Sequence, residues 1–230
     1  MKLFYDRMQA GKLLATKLMK YASHADVIVL GLPRGGVPVA SEVAKALHAP
    51  LDVFVVRKLG VPGHRELAMG AIATGGVLVL NQEVVQGIGI SPLTIGATVA
   101  EEQKELARRE LAYRGHARSP SIKGQTVILV DDGIATGSTM LAAVRALRKQ
   151  QPARLVVAVP TAALSSYDKL KHEVDELVAL ITPENFASVG QWFKDFSQTT
   201  DDEVAQLLEE AGHGPGVGEP RSQEAYHHHS

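Results

Sequence analysis

The run Val127-Ile128-Leu129-Val130-Asp131-Asp132-Gly133-Ile134-Ala135-Thr136-Gly137-Ser138-Thr139 constrains the fold more than any other part of the chain. Val127 to Val130 are consecutive apolar residues, mostly β-branched, the pattern of a strand covered on both faces. Two carboxylates follow at once, Asp131 and Asp132, and in open α/β sheets ligands bind outside the carboxyl ends of the strands. Gly133 and Gly137 let the backbone approach closely, so that successive N–H groups of the loop can wrap a phosphate. Leu141, Val144 and Leu147 then mark a helix over 138–150, whose positive N-terminal end points at the same place.

The rest of the chain alternates strand and helix patterns. Asp6 with Gln9 forms a capping box for a helix running to about Tyr21, with Leu14 and Leu18 on its buried face. A strand is predicted at 27–32, followed by the tight loop Pro33-Arg34-Gly35-Gly36 and a helical stripe of Val37, Ala40, Val43, Ala44 and Leu47. A second strand at 51–56 ends in Arg57-Lys58. The segment 59–69 is punctuated by Gly60, Pro62 and Gly63 and carries His64, Arg65 and Glu66, which predicts a mobile loop. Gly75-Gly76 between two short apolar runs predicts a hairpin, and Ser91-Pro92 starts a long helix to about Tyr113 in which Glu105 and Arg109 can pair. Beyond the motif helix come strands at 155–159 and 176–181 with a helix over 165–172 between them. An aromatic stretch (Phe186, Trp192, Phe193, Phe196) and a last helix over 201–211 complete the pattern. Such alternation predicts an α/β fold with a doubly wound, mostly parallel sheet, in one domain over 1–211; residues 212–230 lack an apolar pattern and are expected to be disordered.

Composition removes several classes of function. With 45% hydrophobic and 21% charged residues in 230, the chain can bury one ordinary core. A net charge of −1 offers no basic field for nucleic acid and no attraction to a membrane surface. Cysteine is absent, which excludes disulfides, thiolate catalysis and zinc–thiolate sites and suits a reducing cytoplasm. Asp6, Arg7 and Lys12 interrupt what would be the apolar core of a leader, so a soluble, unprocessed, cytoplasmic protein is expected.

The run from Val127 to Thr139 resembles the phosphoribosyl-diphosphate (PRPP) binding motif of the type I phosphoribosyltransferases, in its adenine-type version with Ala-Thr-Gly after the acidic pair. Ala135 departs from the hypoxanthine/guanine type, which has an acidic residue there. Together with Pro33-Arg34-Gly35-Gly36-Val37-Pro38 and Arg57-Lys58-Leu59-Gly60, the motif makes the chain similar to an uncharacterised subfamily of predicted phosphoribosyltransferases. The resemblance implies a five-stranded parallel core with a small C-terminal hood at 182–200, Mg²⁺–PRPP as donor, pyrophosphate as product, an unidentified acceptor (expected to be a nitrogenous base) and a homodimer. It implies that Asp131 and Asp132 hold the ribose hydroxyls and act in catalysis. Gly133, Ile134, Ala135, Thr136, Gly137, Ser138 and Thr139 would cradle the 5′-phosphate, with a side chain at Gly137 intruding on it. Arg34, Gly35 and Gly36 would meet the pyrophosphate. Mg²⁺ would arrive on PRPP, with Asp131 and Asp132 as candidate ligands.

Other residues carry two readings each. Arg57 and Lys58 are either solvated edge charges or pyrophosphate contacts. The 59–69 segment is either an exposed turn or a catalytic lid bringing Arg65 onto the leaving group. Phe186 and Trp192 either pack a core under the hood or stack on the acceptor. His227, His228 and His229 receive no function. A non-catalytic PRPP-binding regulator remains as an alternative to the enzyme, though such a protein would be expected to lose the leaving-group loop or the lid.

Overall fold

The computed structural model describes residues 3–212, so the tail beyond Gly212, with His227 to His229, lies outside the described residues. α1 (Arg7–Thr16) leads to β1 (Val27–Gly31), α2 (Gly36–Leu47) and β2 (Leu51–Val53). An antiparallel unit follows, β3 (Val56–Val61), β4 (His64–Ala73) and β5 (Val77–Leu80), with α3 (Gln82–Ile88) and the long α4 (Pro92–Arg114) behind it. The chain then returns through β6 (Thr126–Val130), α5 (Ser138–Lys149), β7 (Arg154–Thr161), α6 (Leu164–Leu170), β8 (Glu176–Ile181) and α7 (Asp201–Glu210). Five strands form one parallel sheet in the order β2-β1-β6-β7-β8, and β3-β4-β5 form a separate antiparallel sheet. This is the α/β fold with a five-stranded parallel core that the sequence resemblance implies.

The unbroken apolar strands are explained by burial on both faces. In β1 and β6, Val29, Ile128 and Val130 enter one core layer with Leu14, Leu18, Val37 and Val43. The alternate residues Ile28, Leu30, Val127 and Leu129 enter the opposite layer with Val144, Leu147 and Leu155. Because β1 and β6 are neighbours, with Gly31 level with Val130, the loops that leave their carboxyl ends lie side by side.

Four sequence expectations change. The first helix stops at Thr16, whose hydroxyl donates to the Leu13 carbonyl at 2.7 Å, and Tyr21 is buried by a separate 3₁₀ turn. Its capping box is displaced: Asp6 accepts the Gln9 N–H at 2.7 Å, but Gln9 Oε1 accepts from Tyr5 rather than Asp6. The predicted strand at 51–56 divides at Phe54, where the chain leaves the parallel sheet and Val55 N–H turns to Thr74 Oγ1 at 2.9 Å. The predicted loop at 59–69 is mostly strand. Only Pro62 and Gly63 turn, and irregular pairing around Gly60 absorbs the other glycine. The Gly75-Gly76 hairpin, with φ of +85° and +70°, and the Glu105–Arg109 ion pair at 2.8 Å are as expected.

Candidate functional site

The two loops behind β1 and β6 build the site. Asp131 and Asp132 stand at the end of β6, and the Asp132 N–H donates to Asp131 Oδ1 at 2.8 Å. Gly35 and Gly36 of the first loop pack directly against this pair. A β-carbon on Gly35 would collide with the Asp132 carboxylate, and one on Gly36 would lie 2.7 Å from the Val130 carbonyl oxygen and 2.9 Å from Asp131 Cα. The Pro33–Arg34 peptide in this loop is cis. Burial and the neighbouring charge of Asp132 push the Asp131 carboxyl well above its ordinary range. Asp132 is also raised by burial, with the Arg7 guanidinium offsetting part of the rise.

The second loop is held from below and open above. Ile134 is buried, its N–H donates to the Thr161 carbonyl at 2.9 Å, and its own carbonyl accepts from Ala163 at 2.8 Å. Ser166 Oγ donates to the Ala135 carbonyl at 2.6 Å. The Ile134 amide is therefore committed to β7 and cannot serve a phosphate, which corrects the expectation for that residue. In contrast, the N–H groups of Ala135 to Met140 have no hydrogen-bond partner among the described residues. They face a cleft of 180 Å³ lined by Asp131, the loop and Val189, at the N-terminus of the 12-residue α5. Unsatisfied amides converging at a positive helix end form an anion site. Gly137 is required for a different reason from the one expected: its φ is +77°, and a β-carbon would face Leu170, Ile134 and Ser166.

Residues 5–192 match the family pattern of the phosphoribosyl transferase domain. The chain belongs to this family. It is 49% identical over 212 residues to a Mycobacterium tuberculosis protein provisionally named a phosphoribosyl transferase, covering 92% of this chain and 47% of the relative. The same figures hold for strains CDC 1551 and H37Rv, so the chain spans about half the length of the curated relatives it matches. The TT1426 protein of Thermus thermophilus, known as a crystal structure, shares 42% identity and superimposes with a TM-score of 0.81, covering 90% of this chain and 98% of that one.

Within this phosphoribosyl transferase domain the expected cations separate. Lys58 Nζ donates to Ser138 Oγ at 2.7 Å, on the rim of the cleft at the α5 N-terminus. Arg57, the preceding residue on β3, turns to Glu102 of α4 at 2.7 Å. Adjacent strand residues point to opposite faces, so one segment cannot aim both at the same ligand. Arg34 lies 3.8 Å from Asp201 at the start of α7. Arg65 is in β4, and its side chain lies outside the described part of the structure.

The aromatic segment expected to form a hood packs against the N-terminal residues around Phe4. Phe4 bridges Phe193, its N–H donates to the Trp192 carbonyl at 3.0 Å, and Lys194 N–H returns to Phe4 at 2.9 Å. Phe193 is the buried centre of this unit, with Phe4 and Phe196 rings 5.3 and 5.0 Å away. Phe186 and Trp192 are half-buried against each other, and the Trp192 indole N–H is buried with no partner among the described residues. The Thr161 hydroxyl, beside Gly133 at the end of β7, is orphaned in the same way.

Arg7 is a site residue that sequence reasoning did not single out. Its Nε donates to Asp132 Oδ2 at 2.8 Å and its Nη1 to the Ser197 carbonyl at 2.6 Å, while its guanidinium lies 3.9 Å from the centre of the Phe196 ring. Its sequence context shows only the first turn of a capped helix.

Proposed function

We propose that this domain transfers 5-phosphoribosyl from Mg²⁺–PRPP to a nitrogenous acceptor, with release of pyrophosphate. The open row of N–H groups from Ala135 to Met140, ending at a carboxylate pair, carries the reading. It supplies a cradle for the 5′-phosphate and, at the carboxyl end of the same strand β6, strong acceptors for ribose hydroxyls. The C1–O bond to pyrophosphate breaks with its electron pair on the leaving oxygen as the acceptor nitrogen bonds to C1. Asp131 and Asp132 then face positive charge that develops on the ribose in the transition state. Arg34 with Gly35 and Gly36 lies beside them for the leaving group.

Among the described residues, no group of three or more His, Asp or Glu is placed to hold a metal by itself. The site suits a Mg²⁺ carried by the diphosphate, with Asp131 and Asp132 as candidate further ligands; the ion would neutralise leaving-group charge. In this reading Phe186 and Trp192, half-buried against each other, offer the acceptor stacking surfaces. Among the described residues no helix is long and apolar enough to cross a membrane, and a cytoplasmic homodimer completes the reading.

A PRPP-binding regulator is the second reading. The observation that favours it is the 59–69 segment, which forms a paired hairpin rather than an open loop. Pyrophosphate release from Mg²⁺–PRPP against a panel of bases and amines decides between them. Release dependent on one acceptor supports the transferase. Saturable PRPP binding with no release on any acceptor supports the regulator.

A further inference from the structure

We propose that Arg7 is a positioning residue for the phosphoribosyl site, locking the Asp132 carboxylate and the aromatic hood into one unit. The inference rests on the reading of Asp132 as a ribose-binding carboxylate.

Arg7 reaches the site because α1 is docked tightly on α2. Gly11 of α1 lies so close that a β-carbon there would be 2.8 Å from the Val39 carbonyl and 2.9 Å from Glu42 Cβ. That contact sets the first turn of α1 beside the loop at Gly35, where a β-carbon would also lie 3.1 Å from Arg7 Nε. The Arg7 and Asp132 side chains are 12% and 14% exposed, so their hydrogen bond is shielded from water and stronger than a surface pair.

The bond pins one Asp132 oxygen, Oδ2, while the same carboxylate also meets the Asp131 carboxyl. A carboxylate with one oxygen pinned presents the other in a fixed direction, which suits a single ribose hydroxyl. The second arm of the guanidinium holds the Ser197 carbonyl, and its face covers Phe196, which packs on Phe193 at the centre of the hood. One planar cation thus connects two regions 65 residues apart in the chain, Asp132 and Ser197, next to the contact that Val189 makes over Gly133. Lysine, with a single ammonium, cannot make this fork.

The test is a double-mutant cycle read on the intact chain by calorimetry with Mg²⁺–PRPP and, separately, with inorganic phosphate, which needs only the cradle. Arg7→Gln is expected to weaken PRPP binding roughly 10- to 100-fold, the range for loss of a charged hydrogen bond, and to leave phosphate binding unchanged. In an Asp132→Asn background the same substitution should cost no further PRPP affinity, an outcome that a merely structural role would not produce. Arg7→Lys should recover part of the affinity. Acrylamide quenching of Trp192, the single tryptophan of the chain, should rise in both Arg7 variants, because both loosen the hood. If Arg7→Gln fails to fold cooperatively, Arg7→Lys decides on the same readouts. Wild-type PRPP affinity in the folded variants, or equal losses in the presence and absence of the Asp132 carboxylate, overturns the proposal alone. A wild-type protein that binds phosphate and not Mg²⁺–PRPP overturns the function reading and this proposal with it.

Discussion

The two glycine loops at neighbouring strand ends look alike in sequence and do opposite things. In the loop after β1, Gly35 and Gly36 make room for the protein's own carboxylates, which fill the space that side chains would occupy. In the loop after β6, Gly137 supplies a left-handed turn that starts α5, and the amides around it are left open toward the cleft. A glycine near a strand end therefore identifies a close approach or a special backbone angle. It does not say whether a ligand or a neighbouring strand makes that approach.

Gly36→Ala is the most severe way to break this contrast. The added carbon meets the backbone of Val130 and Asp131, which cannot rotate aside, so the variant should lose about 3 kcal/mol of stability, at the upper end for overpacking. Urea unfolding of the variant checks this; a loss below about 1 kcal/mol, on the order of a surface change, would mean that the two loops are not in contact.

Next comes a pH effect from the carboxylate pair. Asp131 has a folded pKa raised above its unfolded value, so its contribution to stability is present below the ordinary aspartate range and is lost as pH rises through the raised value. Carboxylates held below their ordinary values act in the opposite sense. Glu105, drawn down to about 2 by Arg108 and Arg109, loses its contribution only on strong acidification. The difference between wild type and Asp131→Asn isolates the first effect: the variant's relative stability should increase with pH in thermal unfolding at a series of pH values. A constant difference would place Asp131 in solvent.

Much of this was legible beforehand, and the gaps have physical causes. The strand, carboxylates, loop and helix over 127–150 could be read because one contiguous stretch holds both the local signals and the chemistry. Arg7 could not, because its partner is 125 residues away and nothing in a helix's first turn reports a distant contact. The hairpin at 59–69 was hidden by Gly60, Pro62 and Gly63, of which only the last two form the turn. Had 56–61 been read as a strand, its period of two would have separated Lys58 from Arg57. The aromatic segment was half visible, since its aromatic residues stand out but the single β-bridge at Phe4 that completes it carries no signal of its own.

Lys58→Ala sharpens the contrast on the open loop. Loss of the ammonium at Ser138 should weaken ribose-5-phosphate binding by about tenfold, a charge-assisted hydrogen bond discounted for solvent exposure, with little change in pyrophosphate binding. The reverse ranking by calorimetry would return Lys58 to the leaving-group side. The smallest effect is expected at Gly137→Ala, about 1 kcal/mol from forcing a side chain into the left-handed region. Thermal unfolding measures it, and a neutral result would mean that the α5 N-terminus relaxes.

Titration of Mg²⁺–PRPP into the wild-type chain and into Asp131→Asn/Asp132→Asn tests the central claim most directly, with inorganic phosphate as the control for an intact cradle. The account predicts saturable PRPP binding by the wild type and none by the double variant, while both bind phosphate and share one circular dichroism spectrum. Undiminished PRPP affinity in the double variant would contradict it.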